Sequence, residues 1–356
     1  MRPTTFILGA GVSMPFGFPS GDRLMDDIAK LAEQYRKKGN DLLRAIIDDL
    51  SQHAHRHVVH RFEYGLQRGS MRSLDHFVET NQQFDKVAKS FLAYKLIIDE
   101  SNHIDNVFKN TRYYEDGSVG RIPNAIRHIF TQMHLSEDFL TEFGKHNFIT
   151  FNYERTLEHY LHNMFEYGMC MGYDDIEKMQ GTLKSKILHV YGQLGEYDRG
   201  EMEQMIEVEE PYVLLPYMRE AVEGVNFIDR ASDRVAIIKE MASLLASTEQ
   251  VIVLGFGHER TNTVLIRNAL QEAIAGKTAP RAGEGQLTYE TLSDDKKQEV
   301  KIVMHQIVIN NWFTSAYAKT QLEVKEFRKI IPFNTRNIAP LDQTDLDFLR
   351  HKIRIQ

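Results

Sequence analysis

Two Gly-X-Gly runs, a carboxamide and an imidazole each follow a short apolar run in this chain. "FILGAGVS" brings Gly9, Ala10, Gly11 and Ser13 directly after Phe6-Ile7-Leu8. "VLGFGHERTN" brings Gly255, Phe256 and Gly257 after a second run, with Asn262 close behind. "ITFNYE" carries Asn152 and Glu154, and "LHVYG" carries His189 and Tyr191 ahead of Gly192. Glycine has no Cβ, so its backbone can approach a diphosphate and aim N–H groups at it. An asparagine amide can hold a water or a sugar hydroxyl. A histidine with an ordinary pKa near 6.5 can take up a proton, whereas a tyrosine near 10 is a hydrogen-bonding partner rather than a base.

These residues need elements to position them. Thr5–Leu8, Asn147–Phe151, Ile187–Tyr191 and Gln250–Leu254 are largely continuous apolar runs, which predicts strands covered on both faces. Val225–Ile228 and Lys301–Met304 are two further candidate strands. Leu24, Ile28, Leu31 and Tyr35 recur at helical spacing, as do Ile237, Met241, Leu244 and Leu245. Strands alternating with helices give an α/β class, with a parallel Rossmann-like sheet flanked by helices. Ligands of such sheets bind outside the carboxyl ends of the strands, where these glycines, the amide and the imidazole fall.

The stretch between the first two strands is too long for a crossover. Its helical patterns at Leu42–Leu66, Ser73–Ile98 and Ile122–Met133 predict an inserted helical subdomain over roughly residues 40–140, within a single domain spanning 1–356. Phe77, Phe84 and Phe91, with Tyr94 one turn on, suit core packing. Ala279–Gln286 reads as a loop and Leu341–Ile355 as a closing helix and strand. Asn152 also suits the N-cap of a helix over Tyr153–Phe165. His189 and Tyr191, two apart on a strand, are expected to share a face.

Spacing excludes two familiar nucleotide motifs. The G-x-G-x-x-G fingerprint needs glycine where Met14 stands, and the P-loop needs glycine at Gln271, although Gly276-Lys277-Thr278 supplies its end. A net charge of −7 gives no electrostatic reason to expect direct nucleic-acid binding. One cysteine, Cys170, leaves no internal disulfide and no four-cysteine zinc site, and suits a cytoplasmic location. No apolar stretch reaches the roughly 20 residues that span a bilayer, so no membrane partner is expected. "HAHRHVVH" sets His53, His57 and His60 on one helical face. Three imidazoles suffice for zinc, but no carboxylate or open-site motif accompanies them, and a solvated face is expected with no metal.

"GAGVSMPFGFP", Gly9 to Pro19, resembles the sirtuin signature G-A-G-[IV]-S-x-x-x-G-[IFY]-P. "TFNYE" is similar to the sirtuin T-Q-N-I-D block, with Asn152 on the asparagine and Glu154 on the acid. "GFGHERTN" is similar to the glycine pair and later asparagine that hold the adenosine end. "SLDHF", residues 73–77, resembles a motif of bacterial sirtuin-like anti-phage defence proteins. The four motifs run in the family's order over residues 6–262. Departures accompany them: no four-cysteine zinc module, Ser20-Gly21-Asp22-Arg23 after Pro19 instead of the family's acid position, and Tyr191 where the family's catalytic histidine precedes glycine.

The resemblance to the defence branch implies a sirtuin-like fold and hydrolysis of NAD to nicotinamide and ADP-ribose. It implies Asn152 as the central catalytic residue, with His189 or Tyr191 in the place of the histidine. It assigns Gly9, Ala10, Gly11 and Ser13 to the diphosphate, Asp22 to the nicotinamide ribose or a helix cap, and Gly255, Phe256, Gly257 and Asn262 to the adenosine end. NAD is then the substrate, with no further cofactor. Control by a homo-oligomer or by a separately encoded partner such as a HerA-like ATPase is expected by family analogy. A non-catalytic NAD or ADP-ribose sensor, and a protein deacylase or ADP-ribosyltransferase, are the alternatives.

Overall fold

The computed structural model describes residues 2–297, with short interruptions of which 279–292 is the longest, and the strand at 312–314. The first strand, β1 (Thr4–Leu8), leads through two turns of 3-10 helix into α1 (Gly21–Arg36). The chain continues through α2 (Asp41–Leu50), α3 (Arg56–Arg68), α4 (Leu74–Thr80) and α5 (Asp85–Lys109). A small hairpin of β2 (Thr111–Tyr113) and β3 (Val119–Arg121) precedes α6 (Ala125–His134) and α7 (Phe139–Gly144). Next come β4 (Asn147–Thr150), α8 (Thr156–Asn163), α9 (Tyr173–Lys186), β5 (Ile187–His189), α10 (Arg199–Gln204) and α11 (Leu215–Gly224). The remainder is α12 (Ala231–Ala246), β6 (Gln250–Leu254), α13 (Arg260–Thr278) and β7 (Trp312–Thr314).

Five strands form one sheet in the order β5-β4-β1-β6-β7, and every neighbouring pair is parallel. Counting only these strands along the chain, the order is 3-2-1-4-5. That is the doubly wound, Rossmann-compatible arrangement, in which the chain first builds outward from β1 on one side and then returns to build on the other. All five residues of β1 are buried, as the continuous apolar run requires.

The four principal strands lie where the apolar runs predict them, with shortened ends at β4 and β5. Val225–Ile228 does not form a strand: Val225 makes an isolated antiparallel bridge to Gly192 and the rest is irregular. The helix expected from Tyr153 begins only at Thr156, because Asn152–Arg155 form a connecting turn. The expected Leu42–Leu66 helix is two helices, broken where Gln52 takes a positive φ of 53°. β7 is a strand that the sequence reading did not anticipate. Lys301–Met304, Ala279–Gln286 and Leu341–Ile355 lie outside the described residues.

Phe77, Phe84 and Phe91 close on Phe62 of α3, with ring centroids 5.8, 5.8 and 5.9 Å away. They are core, as their spacing suggests. α1 enters helix through Ser20, whose hydroxyl accepts from Arg23 N–H, and buries Met25, Ile28, Ala32 and Tyr35 on one stripe. Among the described residues no helix is long and apolar enough to cross a membrane.

Candidate functional site

The carboxyl ends of β5, β4, β1 and β6 follow one another along one edge of the sheet, whose winding direction reverses between β1 and β6. The β1 and β6 loops touch backbone to backbone there. Gly9 N–H donates to Leu254 O at 3.0 Å and Gly11 N–H to Gly255 O at 2.9 Å. A Cβ on Gly9 would stand 2.6 Å from Gly255 O, and one on Gly11 2.6 Å from Gly255 Cα. Gly255 has φ +59°, and a Cβ there would collide with Val12 N. The need for glycine at all three positions is therefore met by loop-to-loop packing.

Val12 N–H bonds Gly9 O and Ser13 N–H bonds Ala10 O. Two N–H groups of the loop, of Val12 and Ser13, thus bond within it and two, of Gly9 and Gly11, bond the β6 end, while Ala10 N–H makes no such bond among the described residues. After β1 the chain turns as a short 3-10 helix over Ala10–Val12.

Beneath this loop, β1 and β4 deliver a compact polar group. Asn152 Nδ2 donates to Glu154 Oε1 at 2.8 Å, to Ser13 Oγ at 3.1 Å and to Gly9 O at 3.3 Å. Ser13 Oγ donates to Glu154 Oε1 at 2.5 Å. Glu154 Oε2 accepts from Thr156 N–H at 2.7 Å, so the acid satisfies the first turn of α8. Burial raises the Glu154 carboxyl above its ordinary pKa, and the bonds from Ser13 and Thr156 only partly offset that. The N-cap reading of Asn152 does not hold, since Arg155 occupies that position. Three bonds hold the Asn152 nitrogen, while its Oδ1 accepts no hydrogen bond from the described residues.

His189 and Tyr191 do not share a face. β5 ends at His189 and a turn carries Tyr191 away, so strand alternation no longer applies. His189 Nδ1 bonds Asn152 O at 2.9 Å and Nε2 bonds Glu158 Oε1 at 2.6 Å. Burial alone would lower the His189 pKa, but the Glu158 charge and hydrogen bond prevail and hold it above the ordinary value. Both ring nitrogens are thus committed, one of them to the main chain of Asn152.

Tyr191 instead donates to Asn262 Oδ1, joining the β5 and α13 ends. Its ring tilts against Tyr153 at 6.1 Å and meets Phe151 edge-on at 6.1 Å. Phe256 packs edge-on to Phe151 at 4.9 Å. Tyr153 in turn donates to Asp75, so the "SLDHF" segment, capped by Ser73, reaches the same edge. Asp22 does not: it is exposed in the first turn of α1, where Ser20 and not Asp22 is the cap. Gly257 is exposed at the tip of the β6 loop.

Two buried partners of residues at this edge escape sequence reading. Glu158 locks His189 from a helix buried on nearly every side, and Glu100 of α5 binds Arg155, three residues after Asn152. Nothing in the spacing announces either pairing. The polar residues Thr156, Glu158, His159, His162 and Asn163 on a helix buried on nearly every side would have been the signal, but burial is a tertiary property.

α8 also buries His159 and His162. Burial lowers His159 to about 3 and His162 to about 4, with nearby Arg199 adding to both and His162 to the first. Both stay neutral in the fold while the unfolded chain takes protons below about 6.5. Stability therefore falls as pH drops from about 6.5 toward these folded values. Near pH 5 the two together cost about 4 kcal/mol at 1.36 kcal/mol per unit. His189 has the opposite sign, its contribution being lost as pH rises through its raised value. Urea unfolding should show a maximum near pH 6.5, and H159Q/H162Q should flatten the acid limb. A limb that stays steep in the variant would assign it elsewhere.

His57 and His60 of the "HAHRHVVH" run are exposed on α3, and His53 lies outside the described residues. Among the described residues no group of three or more potential metal ligands occurs. No family model, curated protein or solved structure matches the chain.

Proposed function

We propose that this chain is an NAD glycohydrolase with a sirtuin-like nucleotide site and an inserted helical subdomain, acting in the cytoplasm as the effector of a bacterial anti-phage defence system. The observation that carries the reading is Asn152. Its nitrogen is anchored by Ser13, Glu154 and Gly9, and its acceptor oxygen is left for a ligand at the carboxyl edge of a doubly wound sheet.

Cleaving the nicotinamide–ribose bond develops positive charge on the ribose, as glycoside cleavage does. Nicotinamide leaves as a neutral molecule, so no strong general acid is required. NAD and water give nicotinamide, ADP-ribose and a proton. Asn152 Oδ1 would orient a ribose hydroxyl or the attacking water. Glu154, when ionised, would set a negative charge behind it. His189 would act through position, holding the Asn152 carbonyl while paired with Glu158. Ala10 N–H and the 3-10 loop would face the diphosphate, and Phe256 with Asn262 the adenosine end. The full commitment of the Asn152 nitrogen and both His189 nitrogens suits an enzyme held at rest until self-assembly or a partner, such as a HerA-like ATPase, rearranges the edge.

A sensor that binds NAD or ADP-ribose without turnover is the second reading, favoured by the absence of a free imidazole nitrogen at His189. The test is to incubate the full chain with NAD and follow nicotinamide, alone and with products of neighbouring genes. Nicotinamide and ADP-ribose released in equal amounts support hydrolysis. Tight NAD binding without release under every condition selects the sensor, release that requires an acylated peptide selects the deacylase, and no NAD binding at all removes the reading.

A further inference from the structure

α3 turns two different faces outward and inward. Val59, Phe62, Glu63 and Leu66 are buried against the rest of the molecule. At about 100° per residue, Arg56, His57, His60, Arg61, Tyr64 and Arg68 fall on the opposite arc, and all are exposed. His60, Tyr64 and His57 occupy the middle of that arc, with Arg56 at one border and Arg61 and Arg68 at the other.

The rings and cations on this arc are organised with respect to one another. The Arg68 guanidinium lies 4.0 Å over the Tyr64 ring, His60 is 6.1 Å from Tyr64, and His57 stacks on His55 at 5.5 Å. No acid interrupts them: Glu63, the helix's single acid, points inward to Arg36 at 2.9 Å. Elsewhere Arg23, Arg44, Arg219 and Arg234 are each paired with a carboxylate, whereas Arg260 and Arg267 form no ion pair among the described residues. Arg56, Arg61 and Arg68 form no ion pair among the described residues.

We infer that the exposed face of α3 binds single-stranded nucleic acid, with bases stacked on Tyr64 and the imidazoles and phosphates held by the flanking arginines. The inference is independent of the NAD reading. Unpaired cations alone would suit any anion, but planar rings set between them match a ligand that alternates charge with flat π-faces. A helix of 13 residues is about 20 Å long, enough for roughly five stacked nucleotides at about 3.4 Å each. The net charge of −7 is a sum over the chain, whereas a strand meets the local field of one face.

The test is fluorescence anisotropy of the full chain with short labelled DNA and RNA single strands at low salt, titrated with salt. Arg56→Gln/Arg61→Gln/Arg68→Gln should weaken binding at least tenfold and reduce the log–log salt slope by about 2, near 0.7 per lost phosphate contact. Tyr64→Ala should weaken binding by about fivefold or more without changing that slope. All four residues are exposed, so folding is not at issue. Three outcomes overturn the proposal: no binding at low salt, affinity unchanged in the triple variant, or a polyglutamate peptide competing as well as the strands while Tyr64→Ala has no effect. The last would assign the face to an acidic protein.

Discussion

Asn152→Ala is expected to lower nicotinamide release from NAD by about 10²–10³-fold, the loss typical when one preoriented polar group is removed from a reacting centre. The fold should survive. Gly9 O keeps its bond from Val12 N–H, and Glu154 Oε1 keeps its bond from Ser13, so no group beneath the loop is orphaned. The cost to stability is about 1 kcal/mol, the net worth of a typical hydrogen bond. Chromatographic measurement of nicotinamide, alongside a thermal melt, separates the two effects. An Asn152→Ala protein of full activity would remove Asn152 from the chemistry. One inactive because it melts early would place its role in folding. Ser13→Ala is the graded companion: Asn152 retains Glu154 and Gly9, so activity should fall by less.

Glu100→Gln should destabilise the protein by about 3–5 kcal/mol, the typical cost of removing one partner of a buried ion pair. Arg155 is 1% exposed and Glu100 is fully buried, and they meet at 2.7 Å through Nη2 and Oε2. Glu100 Oε1 also accepts the Arg155 main-chain N–H at 3.0 Å, and Arg155 Nη1 donates to Glu196 O at 3.0 Å. Burial opposes the Arg155 charge, but Glu100 prevails and holds its pKa above the ordinary value. Removing the carboxylate charge would leave a buried guanidinium without its hydrogen-bonded counter-charge, with only the weaker coulombic influence of Glu220 and Glu158. Urea unfolding measures the loss, and a loss under about 1 kcal/mol would mean water reaches the pair. Replacing both partners with apolar residues of similar volume should recover most of the stability, because the uncompensated charge rather than the missing attraction carries the cost. The pair also ties α5, from the long helical stretch, to the turn that presents Asn152 and Glu154. Partial unfolding in Glu100→Gln should therefore begin at the site.

The α/β class and the four principal strands could be read from the sequence, because buried parallel strands are continuous apolar runs and local composition suffices to reveal them. The placement of Gly9, Asn152, His189 and Gly255 at strand ends followed directly from those runs. Helix starts were less legible. Ser20 caps α1 by a local hydrogen bond, which sequence can suggest, but Asn152–Arg155 remain a turn because Glu154 and Arg155 are held by distant partners. β7 escaped notice because its apolar stretch is short, and it becomes a strand by pairing with β6.

Sequence by itself determined which residue types stand at the carboxyl edge, and that glycine stands at positions 9, 11 and 255. Only the tertiary structure decided why. The β1 and β6 loops come so close that no side chain fits between them, a distance set by two segments far apart in the chain. It likewise separated His189 from Tyr191, sending one to Glu158 and the other to Asn262, because strand periodicity ends where the strand does. It gathered Ser13 and Asn152 around the buried Glu154 carboxylate, since parallel register lays the β1 and β4 ends side by side. Spacing along a chain carries information about neighbours within an element; which ends meet across a sheet is fixed by packing.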